Sequence, residues 1–143
     1  MRALRIAALA LAALAATPAL PHTSKPDDPP VLRKGLWEYK RTLPGQGAGG
    51  KDAEIASKKC ADPTAAFKTM GEMMAKQGCK FAPPSVKGNV RTTASECPVS
   101  GGVVTSESVM TLTGDSAYTM DITTTSGGKT SKQMLVAKRV GDC

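Results

Sequence analysis

The sequence predicts an α+β domain: a curved antiparallel β-sheet of about seven strands in a meander, with one helix packed on it and two disulfides. Three observations carry that reading. Stretches of alternating apolar and polar residues recur between short turns rich in glycine, the pattern of half-buried antiparallel strands. One stretch, 62–78, carries both the start and the stop signals of a helix. The cysteine count is four, without Cys-x-x-Cys or zinc-ligand spacing, which fits two structural bridges.

The chain opens on a segment with the build of an export signal. Arg2 and Arg5 form a short positive region, and Ile6 to Ala16 is an unbroken apolar run. Thr17-Pro18-Ala19 supplies small residues for processing, so residues 1–19 are expected to leave as a signal peptide, with Thr17 as the competing cleavage position. The apolar run spans 11 residues, short of the ~20 that cross a bilayer, so no membrane span is expected. Export places the cysteines in a periplasmic or secreted setting that permits disulfides. Residues 20–34 read as a flexible linker: Pro21, Pro26, Pro29 and Pro30 block regular hydrogen bonding and Lys25, Asp27 and Asp28 keep it wet. His22, the lone histidine, falls there, where nothing holds it as a base or metal ligand.

Residues 35–143 are expected to form one disulfide-stapled, β-rich domain. Without Arg2 and Arg5, 17 basic side chains remain against 12 acidic ones, a net charge of +5. The charges are scattered along the chain and form no nucleic-acid patch. Outside the cytoplasm the anions left to meet them are envelope lipid head groups or a partner protein.

In Leu36–Leu43 the apolar Trp37, Tyr39 and Leu43 share one face, with Arg41 as the exception. The following loop carries Gly45, Gly47, Gly49 and Gly50 but lacks the Lys-[Ser/Thr] of a phosphate cradle. A second strand runs 54–60. Asp62 then suits an N-cap, Pro63 the first helical position and Gly78 the stop. Ala66, Phe67, Met70, Met73, Met74 and Gln77 form the stripe expected to lie on the sheet. Strands at 80–86 and 90–97 flank a turn at Lys87-Gly88-Asn89, with Pro83-Pro84 marking an edge strand or a bulge. Val103 to Thr113 follows, then a strand in which Tyr118, Met120 and Ile122 alternate with polar neighbours. The last, Thr130 to Val140, places Met134, Val136 and Val140 on one side as its apolar face, which Lys138 interrupts near the end.

Hairpin geometry selects the bridges. The numbers of Cys79 and Cys97 average to 88, the glycine at the centre of a three-residue turn at 87–89. Directly opposed residues have Cα atoms about 4.5–5.5 Å apart, within disulfide range. Cys60–Cys143 follows by elimination; it closes 83 residues and would join the second strand to the last, closing the sheet's perimeter. Cys60–Cys79 remains the alternative, although it spans a helix about 22 Å long.

Gly35-Leu36-Trp37-Glu38, Cys60-Ala61-Asp62-Pro63 and the ending Arg139-Val140-Gly141-Asp142-Cys143 together resemble the DUF3617 family of small exported bacterial proteins. Lys34 stands where many relatives have proline, and the first loop lacks the methionines common there. The resemblance implies an exported β-rich domain and lends no reaction, ligand or catalytic residue.

An enzyme reading finds little support: no nucleophile has a base beside it, and Glu38, Glu54, Glu96, Glu107, Asp115 and Asp121 fall on expected outward faces or turns. A hidden carboxylate site is the alternative on that side. A non-catalytic binding or envelope-interaction module fits better. Trp37, Tyr39, Phe67, Met70, Met74, Tyr118 and Met120 would line an apolar pocket between helix and sheet, and the same residues would serve as core. Met70 and Met74, four apart, could present thioethers to Cu(I), but no histidine or free cysteine supports them, so no cofactor is expected.

Overall fold

The computed structural model describes residues 27–143, so the expected signal peptide, its cleavage position and His22 lie outside the described residues. The elements run β1 (Gly35–Leu43), a 3₁₀ turn (Ala48–Gly50), β2 (Ala53–Ala61), α1 (Pro63–Lys76), β3 (Lys80–Phe81), β4 (Ser85–Lys87), β5 (Val90–Val99), β6 (Gly102–Thr113), β7 (Ala117–Ser126) and β8 (Lys129–Gly141). One antiparallel sheet of eight strands orders them β2-β1-β8-β7-β6-β5-β3, with β4 also on β5, and it does not close into a barrel. From β5 to β8 it is a meander; the β1–β2 hairpin adds to its last strand, and α1 carries the chain from one edge of the sheet to the other.

The eighth strand comes from Pro83-Pro84. They split the predicted 80–86 strand into β3 and β4, because proline has no N–H for the ladder. β4 pairs with β5 around a two-residue Gly88-Asn89 turn (Lys87↔Val90), not the three-residue turn expected from sequence. A bulge then inserts one extra residue between β4 and β3, and the pairing becomes Lys80↔Glu96. The turn and the bulge offset each other, so Cys79 still meets Cys97, with Cα atoms 4.1 Å apart. Gly88 takes the positive φ (+60°) such a turn requires. Asn89 ties the hairpin to β6 by donating from its side chain to the Leu112 carbonyl at 2.9 Å.

Cys60 and Cys143 form the second bridge, Cα atoms 5.8 Å apart. It does not close the sheet's perimeter. Leu36 of β1 pairs with Cys60 on one side and Gly141 on the other, so the bridge steps over β1 within one end of the sheet.

The core lies on the inner face, where Tyr39, Ala137, Tyr118 and Leu112 stand side by side on β1, β8, β7 and β6. Leu32, Trp37, Met110, Tyr118, Met120 and Ala137 are buried there. Leu32 places the start of the packed domain ahead of Gly35. The segment 29–34, read from sequence as linker, straps the sheet to the helix: Leu32 N–H donates to Thr64 Oγ1 (2.8 Å), and that hydroxyl donates to the Pro30 carbonyl (2.9 Å).

Two faces differ from the sequence reading. Of the predicted stripe, Phe67 and Met74 face the protein together with Pro63, Thr64 and Gly71, while Ala66 and Gln77 are exposed and Met70 and Met73 are 52% and 53% exposed. The strap fixes this rotation, because it holds Thr64 and so sets which side of the first turn faces in. In β8 the inward residues are Leu135 and Ala137; Met134 and Val136 face out. Val140 is the extra residue of a bulge against β1, where the pairing steps from Leu36↔Gly141 to Trp37↔Arg139.

Candidate functional site

The three sequence stretches that carry the family resemblance converge at one corner of the sheet. Gly35 pairs with Ala61, Leu36 with Cys60 and Gly141, and Trp37 with Lys59 and Arg139. Arg139 Nε donates to the Lys34 carbonyl at 2.7 Å, and its guanidinium pairs with Asp142. Its side chain occupies the space above Gly35: a Cβ built there would lie 2.5 Å from Arg139 Nε and 2.4 Å from the Gly141 carbonyl oxygen. Gly35 also holds φ +151°, which side chains rarely tolerate. Asp62 caps α1 by accepting from the Ala65 N–H at 3.0 Å, and Lys34 reaches Asp62 at 3.5 Å. Arg33 forks onto Asp115 (3.1 Å), and its carbonyl accepts the Trp37 indole N–H at 3.0 Å. These contacts hold a backbone crossing together.

The chain belongs to the DUF3617 family. The model of that family, described as a protein of unknown function, matches residues 32–143, from the buried leucine of the strap to the second bridge. No curated relative and no solved structure matches the chain.

Of the seven residues expected to line a pocket, the structure brings five together and places two apart. Trp37, fully buried, lies 6.3 Å from Tyr39 and 5.9 Å from Tyr118 between ring centroids, and Phe67 meets Tyr118 edge-on at 5.7 Å. Met120 completes this cluster. The five pack on one another as core. Met70 points to solvent and Met74 is half-buried beyond Phe67. Burial pushes the Tyr118 phenol up to about 12, with Tyr39 adding to it, and burial raises Tyr39 as well. Both stay neutral at physiological pH.

Of the two methionines considered for Cu(I), Met70 is exposed and Met74 half-buried, and the remaining described methionines are dispersed. Met73 is on the helix surface, Met110 and Met120 in the core, and Met134 on the opposite side of the sheet. Among the described residues no cluster of three or more His, Cys, Asp or Glu could hold a metal. Glu38, Glu54, Glu96, Glu107 and Asp121 stand on the outer face, exposed, and Asp115 in a turn pairs with Arg33. Glu96 and Glu107 share an open groove of about 540 Å³ with Lys80, Thr105 and Thr123.

A second groove, of about 550 Å³, crosses the outer face of β2, β1 and β8. Register explains its make-up. Glu38 stands between Lys58 and Lys138, and Lys40 between Ala56 and Val136. Lys58 pairs with Glu38 at 2.9 Å and Lys40 with Glu54 at 3.2 Å, while Lys138 has no ion pair among the described residues. Along β8 the outward row is Lys132, Met134, Val136, Lys138, with Met134 42% and Val136 40% exposed. Aliphatic side chains facing water from a sheet strand, with lysines at either end, form an amphipathic ridge. Sequence reasoning missed it by reading those residues as the strand's apolar face. The signal was present: Met134-Leu135-Val136-Ala137 is a continuous apolar run, which puts apolar residues on both faces of a strand.

Proposed function

We propose that this chain is an exported, non-catalytic module of the cell envelope that docks on anionic lipid through the outer face of β1, β2 and β8. The amphipathic ridge carries the reading: Met134 and Val136 supply apolar contact, and Lys132 and Lys138 supply charge beside it. Several observations support it. The N-terminal residues 1–19 have the composition of an export signal. Two disulfides suggest a compartment outside the cytoplasm. The net charge without the signal is +5. Among the described residues no helix is long and apolar enough to cross a membrane, so attachment by this route is peripheral.

Co-sedimentation with vesicles tests the reading. Phosphatidylglycerol vesicles should pellet the protein and phosphatidylcholine vesicles should not, with binding falling as salt rises. Lys132→Gln combined with Lys138→Gln should weaken binding roughly thirtyfold, at about 1 kcal/mol per lysine. Equal partitioning to neutral and anionic vesicles, or an unchanged affinity in the double variant, would overturn it.

A further inference from the structure

The two edges of the sheet are built differently. On one side β3 and β4 are two and three residues long, with Pro83-Pro84 and a bulge between them. Short strands, proline and a bulge are how natural sheets prevent edge-to-edge pairing. On the other side β2 runs nine residues, Ala53–Ala61, in one unbroken register with β1 and without proline. Residues 54–60 are all exposed, so one side of its backbone is open to a further strand.

We propose that β2 pairs with β2 of a second copy of this chain, antiparallel about a two-fold axis at Ala56. An antiparallel pair that keeps both outer faces on the same side must match even residues with even, so a few registers compete. Centring on Ala56 sets Glu54 against Lys58 of the second copy, and Lys58 against its Glu54. On the inner face Ala53 then meets Lys59, and Ile55 meets Ser57. The two Ile55 side chains, each 55% exposed, become diagonal neighbours across the axis. Centring on Ser57 instead puts Glu54 against Cys60 and Lys59 against Ile55, with no charge pair. Centring on Ile55 sets Lys51 against Lys59, two like charges, and Asp52 against Lys58, and both contacts need residues ahead of β2, which begins at Ala53.

The lysines that ordinarily guard an edge are disarmed here. Lys58 is neutralised by Glu38 at 2.9 Å, and Lys59 lies over the Tyr39 ring, its Nζ 5.6 Å from the centroid. Across the joined edge the outer row reads Lys138, Glu38, Lys58, then Glu54 of the second copy, an alternation of sign. Residues 53–59 form the ladder, which leaves Cys60 and its bridge outside. The pairing would also set two amphipathic ridges on one continuous face, but it stands without the lipid reading because it is tested in solution.

Sedimentation equilibrium of the oxidised, mature chain without lipid should give a reversible dimer. Glu54→Lys, an exposed change, should weaken it at least tenfold, and Glu54→Lys with Lys58→Glu should recover affinity by restoring both cross-pairs. Ala56→Cys should cross-link to itself on mild oxidation, since that residue faces its own copy, whereas Ser57→Cys should not; peptide mapping would check that both native bridges persist. A monomer at every accessible concentration, including one that pairs instead with another protein's strand, would overturn the proposal. So would a dimer indifferent to Glu54→Lys, or one cross-linked through Ser57→Cys and not Ala56→Cys.

Discussion

Gly35 and Gly71 show how unevenly this domain is held. At Gly35 a single added carbon would strike the Gly141 carbonyl at 2.4 Å, because β1, β8 and the Arg139 side chain close on that point. At Gly71, on the side of α1 that faces the protein, an added carbon would meet nothing within 4 Å. The corner of Gly35, Cys60, Arg139 and Cys143 is interlocked by backbone pairing, a covalent bridge and a carbonyl-bound arginine. The helix rests on the sheet through Phe67 against Tyr118 and on the strap through Thr64. Tight packing and loose packing therefore coexist about one core. The recognisable family stretches collect at the tight end, where few side chains fit.

The largest test of this contrast is the removal of each bridge. Cys60–Cys143 closes 83 residues and Cys79–Cys97 closes 18. On the chain-entropy model the long bridge contributes about 4–5 kcal/mol and the short one about 3. Urea denaturation of Cys60→Ser with Cys143→Ser, against Cys79→Ser with Cys97→Ser, should show the first pair losing more by roughly 1–1.5 kcal/mol. An equal loss would place as much constraint at the far hairpin as at the corner. A step smaller, Gly35→Ala should cost about 2–4 kcal/mol, from strain at positive φ and a backbone clash that no side-chain rotation relieves. A cost under about 1 kcal/mol, read from the shift in the urea midpoint, would mean that the corner yields.

Much of the architecture was legible because antiparallel hairpins are local. Tyr118, Met120 and Ile122 declared their strand by period two, and Asp62-Pro63 and Gly78 bracketed the helix by cap chemistry that needs no tertiary context. The Cys79–Cys97 pair was found through a turn one residue too long, an error that the Pro83-Pro84 bulge cancelled. What sequence could not give was orientation fixed from far away. Hydrophobicity alone sets a stripe of Ala66, Phe67, Met70, Met73, Met74 and Gln77, whereas the strap at Pro30 and Leu32 turns the helix toward Thr64, so that of the stripe only Phe67 and Met74 face in. The outward row of β8 was hidden for a related reason. Its apolar residues obey the period of a core strand, and only the registers with β1 and β7 reveal which side is inward. Five of the seven pocket candidates, Trp37, Tyr39, Phe67, Tyr118 and Met120, pack together about the core.

Gly71→Ala is the smallest of these effects and runs the other way. Glycine inside a helix costs roughly 0.5–1 kcal/mol relative to alanine, because the unfolded chain loses more conformational freedom on ordering. Gly71 lies mid-helix with no positive φ to preserve and open space where the methyl would go. The substitution should therefore stabilise the protein by about 0.5–1 kcal/mol, seen as a higher urea midpoint at unchanged slope. A loss of stability would mean that α1 approaches the sheet more closely in solution than its open contact implies. In that case Gly71, like Gly35, is required by close approach, and the contrast between corner and helix would narrow to one of degree.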